Sequence, residues 1–253
     1  MESRMTIDLY SITVDAKEIN GPVALVTAAS KGIGAGVARL LATRGYRVSL
    51  LARSSAVTEL ARELGGIATV GSVQEGDDLK RLVEQTMAAY GRIDGVVNNT
   101  GHPAKGELLA LTDEQWQEGF ELIIRSVIQM ARLVTPIMRE QGSGCIVNLS
   151  SYAAVRPELE RPVSAVFRAG LSAWTRVYAE YCAPHGIRVN SVLPGFIQTG
   201  PPPLSAILAS DIRMGRYGDV EEIGKVVAFL LSPEASYMTG QNLLVDGGMV
   251  RTL

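Results

Sequence analysis

Short apolar segments alternate with longer segments of helical periodicity from Val23 to Val245, and this alternation constrains the fold more than any other feature of the 253-residue chain. It is typical of βαβ units, in which the strands are parallel. The apolar segments predict seven strands, at Val23–Thr27, Val48–Ala52, Ile67–Val70, Gly95–Asn98, Gly144–Leu149, Val189–Leu193 and Asn242–Val245. The patterns between them predict helices at Ala35–Thr43, Val57–Leu64, Leu79–Tyr90, Trp116–Arg139, Ala165–Tyr181 and Val220–Leu231. The sequence therefore predicts α/β architecture, with a doubly wound, seven-stranded parallel sheet and helices on both faces.

Length and composition favour a single domain, because 253 residues with 47 % hydrophobic content can fill one core. Residues 1–21 have weak periodicity and end near the turn signal Asn20-Gly21-Pro22, so we interpret them as an N-terminal arm before a domain at 22–253. The segment 199–216 contains three consecutive prolines, and we predict a loop with a short helix that serves as a lid.

The charge pattern and the cysteines exclude several classes of partner. A formal net charge of −2, from 24 basic and 26 acidic residues, argues against nucleic-acid and membrane-surface binding and favours a small-molecule substrate. Cys145 and Cys182 form no CxxC pair, so we expect buried, reduced thiols and no metal site. The N-terminus has acidic residues and no apolar run, so we expect neither a signal peptide nor a membrane anchor, and a cytoplasmic protein.

A glycine-rich turn, Thr27-Ala-Ala-Ser-Lys-Gly-Ile-Gly34, follows the first strand and opens the first helix. A pyrophosphate binds at such a helix N-terminus, where free N–H groups and the positive end of the dipole meet it. Ala52 ends the second strand, at the place where an acidic residue would hold the ribose of NAD, and Arg53 follows it. With Lys31, Arg53 would place two cations at the 2′-phosphate, so the sequence favours NADP(H), although both charges are also compatible with solvated surface residues.

Further motifs follow the later strands, and together they resemble the short-chain dehydrogenase/reductase family over nearly the whole chain after residue 21. They are Asn98-Asn-Thr-Gly101, Asn148-Leu-Ser-Ser151, Pro194-Gly-Phe-Ile-Gln-Thr199 and Val245-Asp-Gly-Gly248. The resemblance implies a single Rossmann-type domain and a homodimer or homotetramer that pairs the two long helices. The cofactor-binding residues that it and the turn imply are Thr27, Ser30, Lys31, Gly32, Ile33, Gly34, Arg53, Val73, Asn99, Gly101, Arg168, Pro194, Gly195, Ile197 and Thr199.

Two departures from the family pattern lie in the nucleotide-binding motifs. Ala28 occupies the place of the first glycine of the family turn, and we expect it to keep a negative φ so that its methyl group is tolerated. Ser72 precedes Val73 where the family has an aspartate beside the adenine, which removes one hydrogen bond worth about 1 kcal/mol.

The catalytic positions depart from the family pattern more strongly. The resemblance assigns a serine to polarise the carbonyl, a tyrosine to give the proton, a lysine to hold the nicotinamide ribose, and an asparagine to position a water. Here Ser151 keeps the serine, while the other three positions hold Ser164, Arg168 and Ile123 at unchanged spacing. Serine is a far poorer acid than tyrosine. The pattern resembles a divergent subgroup related to β-ketoacyl-acyl-carrier-protein reductases, with Ser-x-x-x-Arg in place of Tyr-x-x-x-Lys, and we predict that Ser151, Ser164 and Arg168 form the catalytic site.

Other residues offer a proton source, and each has a structural alternative. Tyr152 either aims its hydroxyl at the cleft or is a buried aromatic residue, and His102 is either a donor near neutral pH or a solvated loop residue. His185 suits a turn, whereas Glu158 and Glu160 suit either acid–base chemistry or a solvated loop.

Three functions remain compatible with the sequence. The first is an NADP(H)-dependent oxidoreductase acting on a carbonyl or alcohol, with an atypical proton donor. The second is a nucleotide-binding sensor or hetero-oligomer partner without turnover, and the third is a non-redox enzyme that reuses the pocket, for example for dehydration.

Overall fold

The computed structural model describes residues 21–200 and 211–251. The predicted arm, apart from Gly21, and residues 201–210 of the predicted lid lie outside the described residues. In chain order the strands and helices are β1 (Val23–Thr27), α1 (Gly32–Thr43), β2 (Arg47–Ala52), α2 (Ala56–Glu63), β3 (Ile67–Val70), α3 (Gly76–Tyr90), β4 (Gly95–Asn98), α4 (Asp113–Phe120), α5 (Ser126–Gln141), β5 (Gly144–Leu149), α6 (Pro162–Cys182), β6 (Ile187–Pro194), β7 (Ile197–Gln198), β8 (Gly218–Asp219), α7 (Val220–Leu231) and β9 (Asn242–Val245).

Seven of these strands form one parallel sheet in the order β3-β2-β1-β4-β5-β6-β9. The order reverses between β1 and β4, which is the switch point of a doubly wound sheet, and a cleft opens there beyond the carboxyl ends of the strands. The predicted Rossmann-type fold is therefore confirmed. The sequence did not predict the short pair β7–β8, in which Ile197 lies opposite Gly218.

Two hydrophobic layers cover the sheet, as the apolar strands require. One face packs against α1, α2 and α7 through a cluster that includes Val37, Leu41 and Val227. The other packs against α3, α5 and α6 through Leu82, Met130 and Leu171. Cys145 and Cys182 are buried free thiols. Over the ranges 21–200 and 211–251, no helix combines the length and apolar character needed to cross a bilayer.

The predicted helix Trp116–Arg139 consists of two helices joined by a π-helical turn, Glu121–Arg125. The helix start is also earlier than predicted, because Thr112 forms a capping box with Gln115 and precedes the first apolar residue. Apolar periodicity cannot detect one widened turn, since the stripe of buried residues continues through it. Such π-turns are frequent at functional sites, and this one faces the cleft.

Candidate functional site

A cavity of about 710 Å³ runs along the carboxyl edge of the sheet. We call the part lined by residues after β1, β2 and β3 the nucleotide half, and the part lined by residues after β5 and β6 and by α6 the chemical half. The turn after β4, residues 99–105, connects the two halves. Thirteen of the predicted cofactor-binding residues line the cavity, namely Ser30, Lys31, Gly32, Ile33, Arg53, Val73, Asn99, Gly101, Arg168, Pro194, Gly195, Ile197 and Thr199, and so do Ser151 and Ser164.

Thr27 and Gly34, which we predicted to bind cofactor, do not line the cavity but shape it. Thr27 is buried, and its Oγ1 donates to the main-chain oxygen of Asn99 over 2.6 Å and accepts the N–H of Asn99 over 2.9 Å. This pair of bonds ties the end of β1 to the turn after β4. A Cβ at Gly34 would lie 2.5 Å from the oxygen of Ala28, so only glycine allows α1 to start this close to the turn.

The expectation that Ala28 keeps a negative φ is wrong. Its φ is +47°, in the left-handed region, where an L-residue with a Cβ is strained. The carbonyl of Ala28 accepts a bond from Asn99 Nδ2 over 3.2 Å, which helps to hold this conformation. The sequence could not reveal the strain, because the φ is imposed by the approach of α1 and β4.

The N-terminus of α1 is open to the nucleotide half. Lys31 precedes the helix in an extended conformation, no side chain caps the first turn, and the turn contains no acidic residue. Gly32 has a φ of +59°, and a Cβ there would lie 3.5 Å from Thr199 Cγ2, so the loop after β6 meets the glycine-rich turn. Free N–H groups at a helix N-terminus bind phosphate well.

Positive charge lies at the end of β2 in the same half. Lys31 and Arg53 are exposed and line the cavity, and neither forms an ion pair with a carboxylate of the described residues. Ala52 ends the strand, so no acid stands where the ribose of NAD would be held. Beside them, Ser72 Oγ already accepts the N–H of Gln74 over 3.2 Å, while Val73 lines the cavity. These residues fit a dinucleotide that carries an extra phosphate.

Arg168 is the centre of the chemical half. The residue is only 5 % exposed, and its guanidinium turns toward the end of β5. Nη1 donates to the carbonyl oxygens of Leu149 and Ser150 over 3.0 and 2.9 Å, and Nε donates to Ser164 Oγ over 3.3 Å. Nη2 has no acceptor among the described residues. Burial lowers the pKa of Arg168 to about 10, which still leaves the group charged at neutral pH.

The two serines keep their hydroxyl hydrogens available. Ser151 Oγ accepts the N–H of Ala153 over 3.2 Å, at the start of a short 3₁₀ helix, Tyr152–Ala154. Ser164 Oγ accepts from Arg168, one helical turn further along α6. Because both oxygens act as acceptors within the protein, each O–H is left to donate into the cavity.

Ile123, which we predicted at the family's asparagine position, is 1 % exposed and lies in the hydrophobic core. It lies in the π-turn, where its neighbour Leu122 lines the cavity instead. A relay water has no polar side chain to bind at this position.

Tyr152 uses its hydroxyl within the protein. It donates to Glu158 Oε2 over 2.7 Å and accepts from Arg161 Nη1 over 3.2 Å. Burial and the bond to Glu158 raise the pKa of Tyr152. The ring packs 5.4 Å from Phe196, and the Arg161 guanidinium lies 5.4 Å from the same ring. The tyrosine is therefore a poor proton donor, and Glu158 does not line the cavity.

His102 lines the cavity on the turn after β4, but its charged form is disfavoured. Desolvation, followed by the positive charges of Arg168, Lys105 and Arg161, lowers the pKa of His102 below its usual value. The imidazole is therefore neutral at neutral pH, which argues against its role as an acid there. His185 lies in a short 3₁₀ helix after α6 and does not line the cavity, as expected for a turn residue.

A buried network of hydrogen-bonded polar side chains lies in the sheet next to the chemical half. Asn98 donates to Asn148 over 2.9 Å, Asn148 donates to Thr175 over 2.9 Å, and Thr175 and Ser191 Oγ lie 2.7 Å apart. The bonds join β4, β5, β6 and α6, so they fix the strand ends that carry the site. A fully bonded network of this kind rigidifies a core.

Sequence reasoning missed two cations of the cavity, Lys105 and Arg161. Both lie on loops without a motif, so only their convergence in space identifies them. The described lining residues include five cationic side chains, of Lys31, Arg53, Lys105, Arg161 and Arg168, and no aspartate or glutamate.

Comparison with known proteins finds relatives that match most of the chain. Residues 27–250 match the family model described as Enoyl-(Acyl carrier protein) reductase. The chain is 34 % identical to the 3-oxoacyl-(acyl-carrier-protein) reductase FabG of Thermotoga maritima, over 92 % of this chain and 99 % of that protein. It is 35 % identical to the 3-oxoacyl-(acyl-carrier-protein) reductase of Synechocystis sp., over 92 % of this chain and 98 % of that protein. It is 32 % identical to Dehydrogenase/reductase SDR family member 4 of Caenorhabditis elegans, over 93 % of this chain and 97 % of that protein.

Proposed function

Because the chain belongs to the short-chain dehydrogenase/reductase family, as an oxidoreductase with carbonyl-reducing relatives, we propose that it is an NADPH-dependent carbonyl reductase with an atypical site. The observation that carries the proposal is the position of Arg168. Its buried guanidinium lies beside Ser164 and the backbone of Ser150, in one cavity with the phosphate-binding turn.

The nucleotide half supports the choice of NADPH. The open N-terminus of α1 would bind the pyrophosphate, and Lys31 and Arg53 would bind the 2′-phosphate. When bound, NADPH supplies the hydride that reduces the carbonyl carbon. Asn99, Gly101 and the loop from Pro194 to Thr199 would hold the rest of the cofactor, and Arg168 Nη2 is the group left to hold the nicotinamide ribose.

The chemical half supports reduction without a tyrosine. Ser151 and Ser164 would each donate a hydroxyl hydrogen to the carbonyl oxygen, and Arg168 would stabilise the negative charge that grows on this oxygen during reduction. Arg168 remains protonated, so its contribution is a fixed charge and not a transferred proton. The alcohol takes its proton from water that enters beside the short Ser164 side chain.

This arrangement predicts a slow enzyme, because a positioned general acid is worth about 10²–10⁴ in rate. The test combines calorimetry of NADPH and NADH binding with the absorbance of reduced nicotinamide in the presence of a panel of ketones and aldehydes. We expect tighter binding of NADPH and oxidation of NADPH above the rate without protein. Tight binding of NADPH without oxidation by any carbonyl compound would contradict the proposal and favour a nucleotide sensor.

The paired surfaces of other family members suggest a homodimer or homotetramer. Val166, Val177 and Tyr181 are exposed apolar residues on α6, at helical spacing. We propose that this face packs against a second copy, which sedimentation equilibrium would test by mass.

A further inference from the structure

The positive charge of the chemical half exceeds what the cofactor uses. Lys31 and Arg53 serve phosphates in the nucleotide half under the proposed function, whereas Arg161 and Arg168 lie in the chemical half and Lys105 lies on the adjoining turn after β4. The charges of these three residues all act on His102. No described lining residue is an aspartate or glutamate. The substrate end is therefore cationic.

Arg168 in particular lacks a counter-charge. Its protein partners are two carbonyl oxygens and one hydroxyl, and no carboxylate of the described residues bonds to it. A buried charge without an opposite charge is unfavourable. An anionic group in the loaded site would relieve this cost.

Arg161 is oriented toward the same space. Its guanidinium lies over the Phe196 ring, and Nη1 bonds to the Tyr152 hydroxyl, which fixes the planar donor group at the cavity wall. Glu158 Oε2 lies 3.9 Å from Nε, so this carboxylate balances one positive charge. Lys105 adds a second positive charge from the turn after β4. After the contribution of Glu158, Arg161 and Lys105 keep one net positive charge for a substrate anion, while the charge of Arg168 meets the carbonyl oxygen that becomes negative during reduction. The site therefore suits a monoanion better than a dianion.

We propose that the substrate is a keto acid, whose carboxylate binds Arg161 and Lys105 while Arg168, Ser151 and Ser164 surround the carbonyl oxygen. The inference rests on the proposed function and names its substrate class. The carbonyl carbon gains the hydride, the carbonyl π electrons pass to oxygen, and water supplies the proton, so the product is a hydroxy acid that keeps its carboxylate. Arg161 is suited to this role because a guanidinium binds a carboxylate through two parallel bonds.

The first experiment compares acids with their neutral esters. The kcat/KM for reduction of acetoacetate and of pyruvate is measured beside that of their methyl esters, with NADPH saturating. For the acid that is reduced better, we expect kcat/KM to exceed that of its ester by at least about tenfold, which is the effect of one charge-assisted contact. If kcat/KM of both acids is equal to or lower than that of their esters, the inference is overturned. Reduction of the esters would still uphold the proposed function. A higher kcat/KM for dihydroxyacetone phosphate overturns it in favour of a phosphorylated substrate.

Variants locate the carboxylate site. Arg161→Gln and Lys105→Gln should each lower the acid-to-ester ratio of kcat/KM by about tenfold, while kcat/KM for the ester changes less than about threefold. Arg156→Gln is the matched control, since Arg156 lies in the same loop, is exposed and does not line the cavity. Lys105 is exposed, so Lys105→Gln keeps the test valid if Arg161→Gln unfolds. A ratio unchanged in the folded variants overturns the assignment.

Binding separates this inference from the proposed function. Calorimetry of the NADPH-loaded protein with 3-hydroxybutyrate and with its methyl ester measures binding without turnover, because neither the reduced cofactor nor the alcohol can accept a hydride. If the acid binds more tightly than the ester, and Lys105→Gln removes this difference, the carboxylate site is upheld. This holds even if no ketone is reduced, and in that case only the reductase proposal fails. Equal binding of acid and ester overturns the site.

Discussion

The two halves of the cavity use positive charge in opposite ways. In the nucleotide half, Lys31 and Arg53 are exposed, and the backbone of the glycine-rich turn provides the shape. In the chemical half, Arg168 is buried and bonded to Leu149, Ser150 and Ser164. Exposed charges contribute modestly because water screens them, whereas a fixed charge in a dry site acts strongly on a reacting oxygen. The proposed cofactor contacts are therefore exposed and weak individually, whereas the proposed catalytic charge is buried and held in place by the protein.

The largest effect is expected from Arg168→Ala. Loss of the fixed charge at the carbonyl oxygen should lower kcat by about 10²–10³. The KM for NADPH should rise less than kcat falls, because the phosphate contacts are untouched. Steady-state kinetics on protein whose folding is checked by circular dichroism measures both.

Arg168→Lys is the control, since lysine keeps the charge but not the planar donors, and it should recover part of kcat. If Arg168→Ala raises only the KM for NADPH, the residue holds the ribose and does not act on the carbonyl. If only the stability falls, Arg168 is a structural support of β5.

Charge removal in the nucleotide half should have a smaller and selective effect. Arg53→Ala and Lys31→Ala should each weaken NADPH binding about tenfold, the value of one charge-assisted bond, and change NADH binding less than about twofold. Calorimetry measures both affinities. Arg44→Ala, which removes an exposed charge outside the cavity at the end of α1, should change neither. Equal losses for NADPH and NADH would show that these side chains do not bind the 2′-phosphate.

The backbone of the nucleotide half offers a test of strain. Ala28→Gly removes the strain of a left-handed alanine, which costs the folded state about 1–2 kcal/mol. Glycine also stabilises the unfolded chain by about 0.4–1 kcal/mol through its greater conformational entropy. The free energy of unfolding should therefore rise by about 0.5–1 kcal/mol. Gly32→Ala, at φ +59°, should lower it by about 1 kcal/mol. Urea denaturation compares the midpoints. A destabilised Ala28→Gly variant would show that the Cβ of Ala28 makes a contact worth more than the strain.

The smallest effect concerns pH, where the chemical half should be almost insensitive. His102 has a lowered pKa and Tyr152 a raised one, so neither changes charge between about pH 7 and pH 9. Arg168, with a pKa lowered to about 10, loses its charge only as the pH rises through that value, so kcat should be flat and then fall in alkali. The pH profiles of the wild type and of His102→Asn should coincide. A bell-shaped profile that flattens in His102→Asn would identify the histidine as proton donor.

Local motifs made the nucleotide half predictable in outline. The strand before Thr27, the glycines at 32 and 34, and the absence of an acid at Ala52 are all features of short stretches of sequence. Their geometry was less accessible, since Thr27 and Gly34 shape the turn without lining the cavity and Ala28 adopts a positive φ. Those outcomes depend on how closely α1 and β4 approach the turn.

The chemical half was predictable only as a set of positions. The spacing placed Ser151, Ser164 and Arg168 near one another, because residues four apart share a helix face and parallel strands end at one edge. It did not show that Arg168 donates to the end of β5, that Tyr152 donates to Glu158, or that Arg161 lies over Phe196. A side chain of this length has several rotamers, and its partners come from distant segments.

The sequence by itself determined the doubly wound sheet, the place of the cleft and the residue types at the family's catalytic positions, because hydrophobic period and motif spacing are local properties of a chain. Only the tertiary structure decided where the charges point, which hydroxyls remain free, and that Lys105 and Arg161 join Arg168 in one cavity without a carboxylate. These are long-range properties, since burial and hydrogen bonding depend on segments far apart in sequence that the fold brings together.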